Sequence, residues 1–281
     1  KLMDVSNNND NKLMDVSNNN DNKLMDVSNE NQQHLNRYLE KNNIRQIVIS
    51  KNLEKFRRIK TMYNLKDYND SNEPCLFFGI FTIDELNRAL IHNGKKYIMF
   101  SGIDCDTWIP IAIKLMKKIR RIKDLLYISI SDDITQRLLK YRINSIRIEL
   151  DLTDYSLFRL IENTSHGNCI YVYDGQGTID IIKKVVYNYK MIDTIKELLP
   201  DYEYIHSSTL NVPYEKMPEI YAKCFIGLRL TDKDGNANTV QEFKAMGIPI
   251  VHNQSYYGLK WDDEKDIIKH IQLCRSNKKR Q

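Results

Sequence analysis

The stretch from Phe225 to Asn253 constrains the fold of this chain more tightly than any other. It reads FIGLRL, TDKDGNAN, TVQEFKAMG, IPIVHN, one strand–loop–helix–strand unit. The run over 225–230 is short, apolar and rich in β-branched and aromatic residues, with a polar cluster after it, which predicts a buried strand. Asn238 is placed to cap a helix beginning at Thr239, with Gln241 at the third helical position completing a capping-box pattern. Gly247 supplies a left-handed stop, and Pro249 forbids the helix from continuing. A second buried strand over 248–251 then lies parallel to the first through a right-handed crossover.

That geometry predicts a chemistry. The amides around Thr239, Val240 and Gln241 stand at the positive end of the helix without intrahelical partners. A helix start that follows a parallel strand is an anion site at the carboxyl edge of the sheet. Two carboxylates flank it, Asp234 in the loop and Glu242 one turn into the helix. Carboxylates repel phosphate but accept hydrogen bonds from hydroxyls. The combination suits a ligand with a diphosphate in its middle and a sugar at each end, a nucleotide-sugar. The plainer alternative is an ordinary βαβ unit with a solvated acidic loop.

Asp234-Gly-Asn-Ala-Asn-Thr-Val-Gln-Glu242 resembles the E-x7-E signature of retaining glycosyltransferases with two Rossmann-like domains, as in glycosyltransferase family 4. Gly235, Glu242, Ala245, Gly247, Pro249 and Val251 fall in register with that pattern. The resemblance implies that Asp234 binds the donor hexose, that Glu242 binds the ribose hydroxyls, and that the amides of Asn238, Thr239 and Val240 hold the diphosphate. Asp stands where the family has its first Glu, one methylene shorter. A glycine loop at 174–177, with Gly175, is placed beside the donor phosphates. The Arg and Lys that usually follow that loop are missing here. Arg229 and Lys233 are the replacement cations, a guanidinium there being able to clasp the diphosphate bidentately and stabilise the leaving group. Arg229 has a second reading, a salt bridge to Asp232 or Asp234.

Length and composition bound the rest. With 281 residues the chain has room for two ordinary domains. Its 42 basic and 37 acidic residues are spread along the chain, so the net charge of +5 argues only weakly for nucleic acid. Five scattered cysteines without metal spacing read as buried thiols in a reducing, cytoplasmic setting. No apolar run is long enough to span a membrane, and the N-terminus is not a signal peptide. Residues 1–33 repeat KLMDVSNNNDN twice and then KLMDVSNENQQ, a low-complexity tail or linker. The chain begins with Lys, so an upstream segment or domain is expected in the full polypeptide.

Strands are predicted at 46–50, 74–80, 96–100, 125–130 and 143–150, with helical segments at 51–64, 82–93, 109–118 and 132–141 and a loop over 66–73. Thr82 and Glu85 form a capping box for the second of these helices. The alternation means a parallel sheet with covering helices, residues 34–150, smaller than the usual first domain of such transferases. Asp104, after the strand ending Ser101-Gly102, is the candidate catalytic residue of this domain. The alternative makes Asp106 or Thr107 a helix cap and leaves Asp104 solvated. After a connection at 151–154, the second domain, 151–281, is predicted to carry strands at 169–173 and 202–206 and helices at 179–189, 191–199, 213–223 and 262–274. A loose basic tail closes it. His206 and His252 fall at strand ends on the ligand edge, as structural or as ligand-facing residues.

The expected fold class is therefore α/β, two Rossmann-like domains with parallel sheets (GT-B type), the first reduced in size. The expected activity is transfer of a sugar from a UDP- or GDP-sugar to a glycan, protein or lipid acceptor. The donor is the substrate, no further cofactor or metal is expected, and the resemblance implies retention of configuration. A nucleotide-sugar epimerase or hydrolase on the same frame, or a non-catalytic nucleotide-sugar or glycan-binding module, are the alternatives.

Overall fold

The computed structural model describes residues 33–105, 110–122, 125–161, 167–175, 181–231, 234, 237–253 and 257–280. The repeat through residue 32, Asp106, Thr107, Asp232, Lys233 and Gly235 lie outside them.

The first half opens with helix α1 (residues 33–41). Six strands follow: β1 (Gln46–Ile49), β2 (Lys66–Asp67), β3 (Cys75–Phe78), β4 (Lys96–Phe100), β5 (Leu125–Ser129) and β6 (Ile146–Arg147). They form one all-parallel sheet in the order β2-β1-β3-β4-β5-β6. Helices α2 (Ile59–Met62), α3 (Ile83–Ile91), α4 (Pro110–Ile119) and α5 (Asp132–Lys140) make the crossovers. A sheet covered on both faces needs strands that are apolar on both faces, and β3 is buried along its whole length. The Thr82–Glu85 capping box forms as predicted, starting α3. Glu85 also accepts a hydrogen bond from the Ser50 hydroxyl at 2.5 Å, tying the end of β1 to that helix.

Two predictions for this half are revised. Lys66–Asp67, read as loop, is an edge strand beside Gln46 and Ile47. Its two residues are exposed and polar, so no apolar run announces it. The helix predicted over 51–64 is split into a 3-10 turn (Lys51–Phe56) and the single turn of α2.

The second half has strands β7 (Cys169–Val172), β8 (Tyr204–His206), β9 (Cys224–Leu228) and β10 (Ile250–Val251), parallel and ordered β10-β9-β7-β8. Its helices are α6 (Ile181–Val186), α7 (Tyr189–Leu198), α8 (Met217–Tyr221), α9 (Asn238–Ala245) and α10 (Glu264–Arg280). Along β7 the side chains alternate between two cores. Cys169 and Tyr171 join Tyr221 and Phe243, while Ile170 and Val172 join Ile195, Ile226 and Ile267. Each fully buried Ile, Leu or Phe contributes about 2 kcal/mol by leaving water.

The helix predicted as continuous over 179–189 ends at Val186, and Asn188 takes a left-handed conformation (φ 49°) before α7 begins. The basic end predicted as a loose tail is helical to Arg280. Two all-parallel, helix-covered sheets in one chain make this an α/β protein with two Rossmann-like units. No helix among the described residues is long and apolar enough to cross a membrane.

Candidate functional site

The carboxyl ends of β7, β8 and β9 line one edge of the second sheet, and the connection from β9 to α9 carries the two predicted acids. Local sequence shapes that connection with one difference from expectation. Asn238 is the first helical residue and not the cap; Ala237 stands at the cap and offers no side-chain oxygen. The capping box is therefore absent. The amides of Val240 and Gln241 both turn back to the Ala237 carbonyl, at 3.0 and 3.3 Å. Asn238 and Thr239 become the leading donors of the helix, one residue earlier than predicted. The stop is as expected: Gly247 has φ 71° and its amide donates to Lys244 O at 3.0 Å.

The two acids take their hydrogen bonds from different partners. Asp234 accepts from Arg229 Nε at 2.5 Å. The guanidinium lies 3.9 Å from the Tyr173 ring centroid and 5.8 Å from that of Tyr187. Burial works against the Arg229 charge, but the Asp234 carboxylate beside it more than offsets this, and its pKa is raised. The salt-bridge reading of Arg229 is the arrangement found. Burial alone would raise the Tyr173 phenol; the charges of Arg229 and of Lys55, from the first half, pull it below its ordinary value.

Glu242 belongs to a different group. It is 4% exposed and accepts from the Tyr221 hydroxyl at 2.9 Å. Its other oxygen is 4.0 Å from a terminal guanidinium nitrogen of Arg58, a residue of the first half. Burial raises the carboxyl's pKa, opposed by the Tyr221 hydrogen bond and the Arg58 charge. Tyr221 packs against Tyr171 and Phe243, with ring centroids 5.0 and 4.5 Å apart, which fixes the hydroxyl under the carboxylate. Arg58 itself lies over Tyr214, 4.1 Å from the ring centroid. Thr239 and Val240 are buried and Asn238 is half-buried.

Asp104 is neither solvated nor open to a ligand. It is 2% exposed, and its carboxylate accepts from the amides of Ser101 (3.0 and 3.1 Å) and Gly102 (2.8 Å), closing its own turn. Burial pushes its pKa up to about 6 against those hydrogen bonds. Gly175, at the end of β7, takes φ 89° and its carbonyl accepts from Ser207 Oγ at 3.0 Å.

A cluster beside Gly175 was not foreseen. Asp174 is 1% exposed and takes hydrogen bonds from His206 Nδ1 (2.8 Å), Ser207 Oγ (3.0 Å), Ser208 N (2.8 Å) and Ser208 Oγ (2.9 Å). Burial alone would raise this carboxyl, but the His206 and serine donors win and hold it low. The signal in the sequence was a pair of polar strand ends, Asp174-Gly175 and His206-Ser207-Ser208, that parallel pairing brings together. His206 thus serves Asp174, and His252, 1% exposed, lies with Nδ1 3.1 Å from the Arg229 carbonyl. Lys55, Arg58, Tyr173, Tyr214 and Tyr221 are the other residues that the motif alone did not indicate.

None of the five cysteines forms a disulfide. Among the described residues no group of three or more His, Cys, Asp or Glu side chains is placed to hold a metal. A cavity of about 360 Å³ beside β1, α2 and α3 is lined by Arg57, Lys60, Asp67 and Arg88 and by neither Asp234 nor Glu242.

No protein-family model matches the chain, and no curated protein does. Among solved structures, a point mutant of S. aureus TarM in complex with fondaparinux, alpha-GlcNAc-glycerol and UDP aligns at 9% identity with a TM-score of 0.49. The alignment covers 73% of this chain and 49% of that one. A second TarM structure aligns at 9% identity and TM-score 0.45, over 74% and 48%. The chain spans about half the length of either.

Proposed function

We propose that this chain is a glycosyltransferase that takes a nucleotide-diphosphate sugar, UDP- or GDP-linked, in its second half (151–281) and meets a glycan, protein or lipid acceptor from its first (34–150). The observation that carries this reading is Glu242: a buried carboxylate one turn into the helix after β9, at the carboxyl edge of a parallel sheet, with a cation from the other half beside it. Ligands of open parallel sheets bind at that edge, and a carboxylate there accepts from hydroxyls. Glu242 takes the ribose hydroxyls in this reading. The leading amides of α9, at Asn238 and Thr239, take the diphosphate together with Gly175, and the sequence motif adds Lys233 and Gly235 to that role. Asp234 faces the donor hexose, and the Arg229 guanidinium, hydrogen-bonded to it through Nε, offers its remaining N–H groups to the departing nucleoside diphosphate without a metal. Retention of configuration and a cytoplasmic setting complete the proposal. Asp104 we assign to the architecture of its turn.

The test is thermal denaturation with UDP-, GDP- and ADP-sugars. One of them should stabilise the protein, by about 2.7 kcal/mol at a hundred times Kd, and Glu242→Ala should abolish the response. Silence with all three would refute the reading. A non-catalytic nucleotide-sugar-binding module is the second reading, favoured by one observation: the Arg229 charge is already matched by Asp234. Hydrolysis or transfer assays on whichever nucleotide binds separate the two.

A further inference from the structure

Between the two halves, two hydrogen-bond donors are buried with no partner among the described residues: Arg58 Nε and the Tyr214 hydroxyl. They belong to one group, since the Arg58 guanidinium lies over the Tyr214 ring. The acid they accompany is Glu242, whose carboxyl pKa burial raises while the Tyr221 and Tyr214 hydroxyls and the Arg58 charge all pull it down. One Glu242 oxygen accepts from Tyr221, while the other has Arg58 at 4.0 Å, beyond hydrogen-bond reach. Asp154, at the connection between the halves, also feels the Arg58 charge but is held mainly by Ser156. Buried donors left without an acceptor beside a carboxylate call for a group that accepts from them and does not repel the acid. A phosphate oxygen only accepts and would be repelled by Glu242. A hydroxyl accepts from Arg58 or Tyr214 and donates to Glu242.

We infer that Arg58 and Tyr214 form a two-donor clamp, contributed by opposite halves, that holds a ligand hydroxyl against Glu242. This rests on the donor reading given above and adds to it a residue of the first half. The clamp is closed in this structure, so the hydroxyl enters as the halves part and the donors are satisfied when they close on it. Arg58 and Tyr214 are specificity-determining residues on this account. They select a nucleotide whose ribose carries its diol over one that lacks it.

Calorimetry tests this with the nucleotide-sugar that binds and its 2′- and 3′-deoxyribose analogues, on the wild type, Arg58→Ala, Arg58→Lys and Tyr214→Phe. The wild type should prefer the diol to at least one analogue by about tenfold. Tyr214→Phe, which keeps the ring under Arg58, and Arg58→Ala should each shrink that preference several-fold. Arg58→Lys should restore only part of it, because a lysine lacks the fork. Should Arg58→Ala not fold, Tyr214→Phe decides the matter alone. A wild type that binds and discriminates, with folded variants that discriminate equally well, overturns the clamp and leaves the donor reading standing. A wild type that binds but ignores the diol also overturns only the clamp. A wild type that binds no nucleotide-sugar overturns both.

Discussion

At the scale of single residues, Asp174 replaces water with protein donors. Its carboxylate is buried, and His206, Ser207 and Ser208 supply the hydrogen bonds. Asp174→Ala leaves His206 Nδ1 and the Ser208 amide and hydroxyl without that acceptor, while Ser207 Oγ keeps the Gly175 carbonyl, and it should cost at least about 3 kcal/mol, read from the urea midpoint. Its folded pKa lies below the ordinary 3.8, so its contribution is complete above that value and is lost as pH falls through the lowered one. Two histidines act nearer neutrality. His92 and His252 are buried and their pKa values fall below the ordinary 6.5, burial being the largest cause for each. Between the lowered values and 6.5 the unfolded chain binds more protons, so stability drops as pH falls through that window. Asp104 works the other way: raised to about 6, it contributes most below 3.8 and loses that contribution as pH rises through 6. His92 packs against Tyr68 and Phe77. His92→Phe should therefore be tolerated near neutrality. It should flatten the fall in Tm between about pH 7 and about pH 5 relative to the wild type; an unchanged slope would remove His92 from the account.

At the scale of elements, the unit β9–α9–β10 depends on one absent side chain. A Cβ on Gly227 would lie 2.7 Å from Phe243 and 3.1 Å from Ile250, so helix and strand approach as closely as they do because β9 has a gap there. Gly227→Ala should destabilise by about 1–3 kcal/mol through overpacking, with an unchanged denaturant slope, and trimming Phe243 to Leu in the same chain should recover part of the loss. Most elements were legible for reasons that this unit illustrates. Buried parallel strands are continuous apolar runs, and β3, β4, β7 and β9 all declare themselves in that way. Gly247 and the Thr82–Glu85 pair mark helix ends by local chemistry alone. What escaped is equally physical. The edge strand β2 is two exposed polar residues. The α6–α7 break turns on the conformation of Asn188, in a run that keeps helical character on both sides. Ala237 took the cap position that Asn238 would have filled better by composition.

For the whole molecule, the half-to-half contacts gather around the connection and α9. The Tyr63 hydroxyl donates to the Asp151 carbonyl at 3.1 Å, Gln241 donates to the Leu150 carbonyl at 3.4 Å, and Arg58 reaches Glu242. The Asp151 side chain fastens its own segment through Thr153 N and the Tyr155 hydroxyl, at 2.8 and 2.5 Å. The candidate site was legible only where sequence neighbours make it. The spacing of Asp234 and Glu242 gave their positions, but their partners come from other strands, helices and the other half, and no local pattern ties Tyr221 or Arg58 to α9. The strand order carries a consequence for synthesis. β7 is made first in its sheet, yet it sits between β8 and β9, with β10 outermost. A nascent chain therefore holds a wholly apolar strand with one flank open until Cys224–Leu228 has left the ribosome. Such a flank invites other strands, so the newborn second half is open to mispairing until β9 emerges to close it.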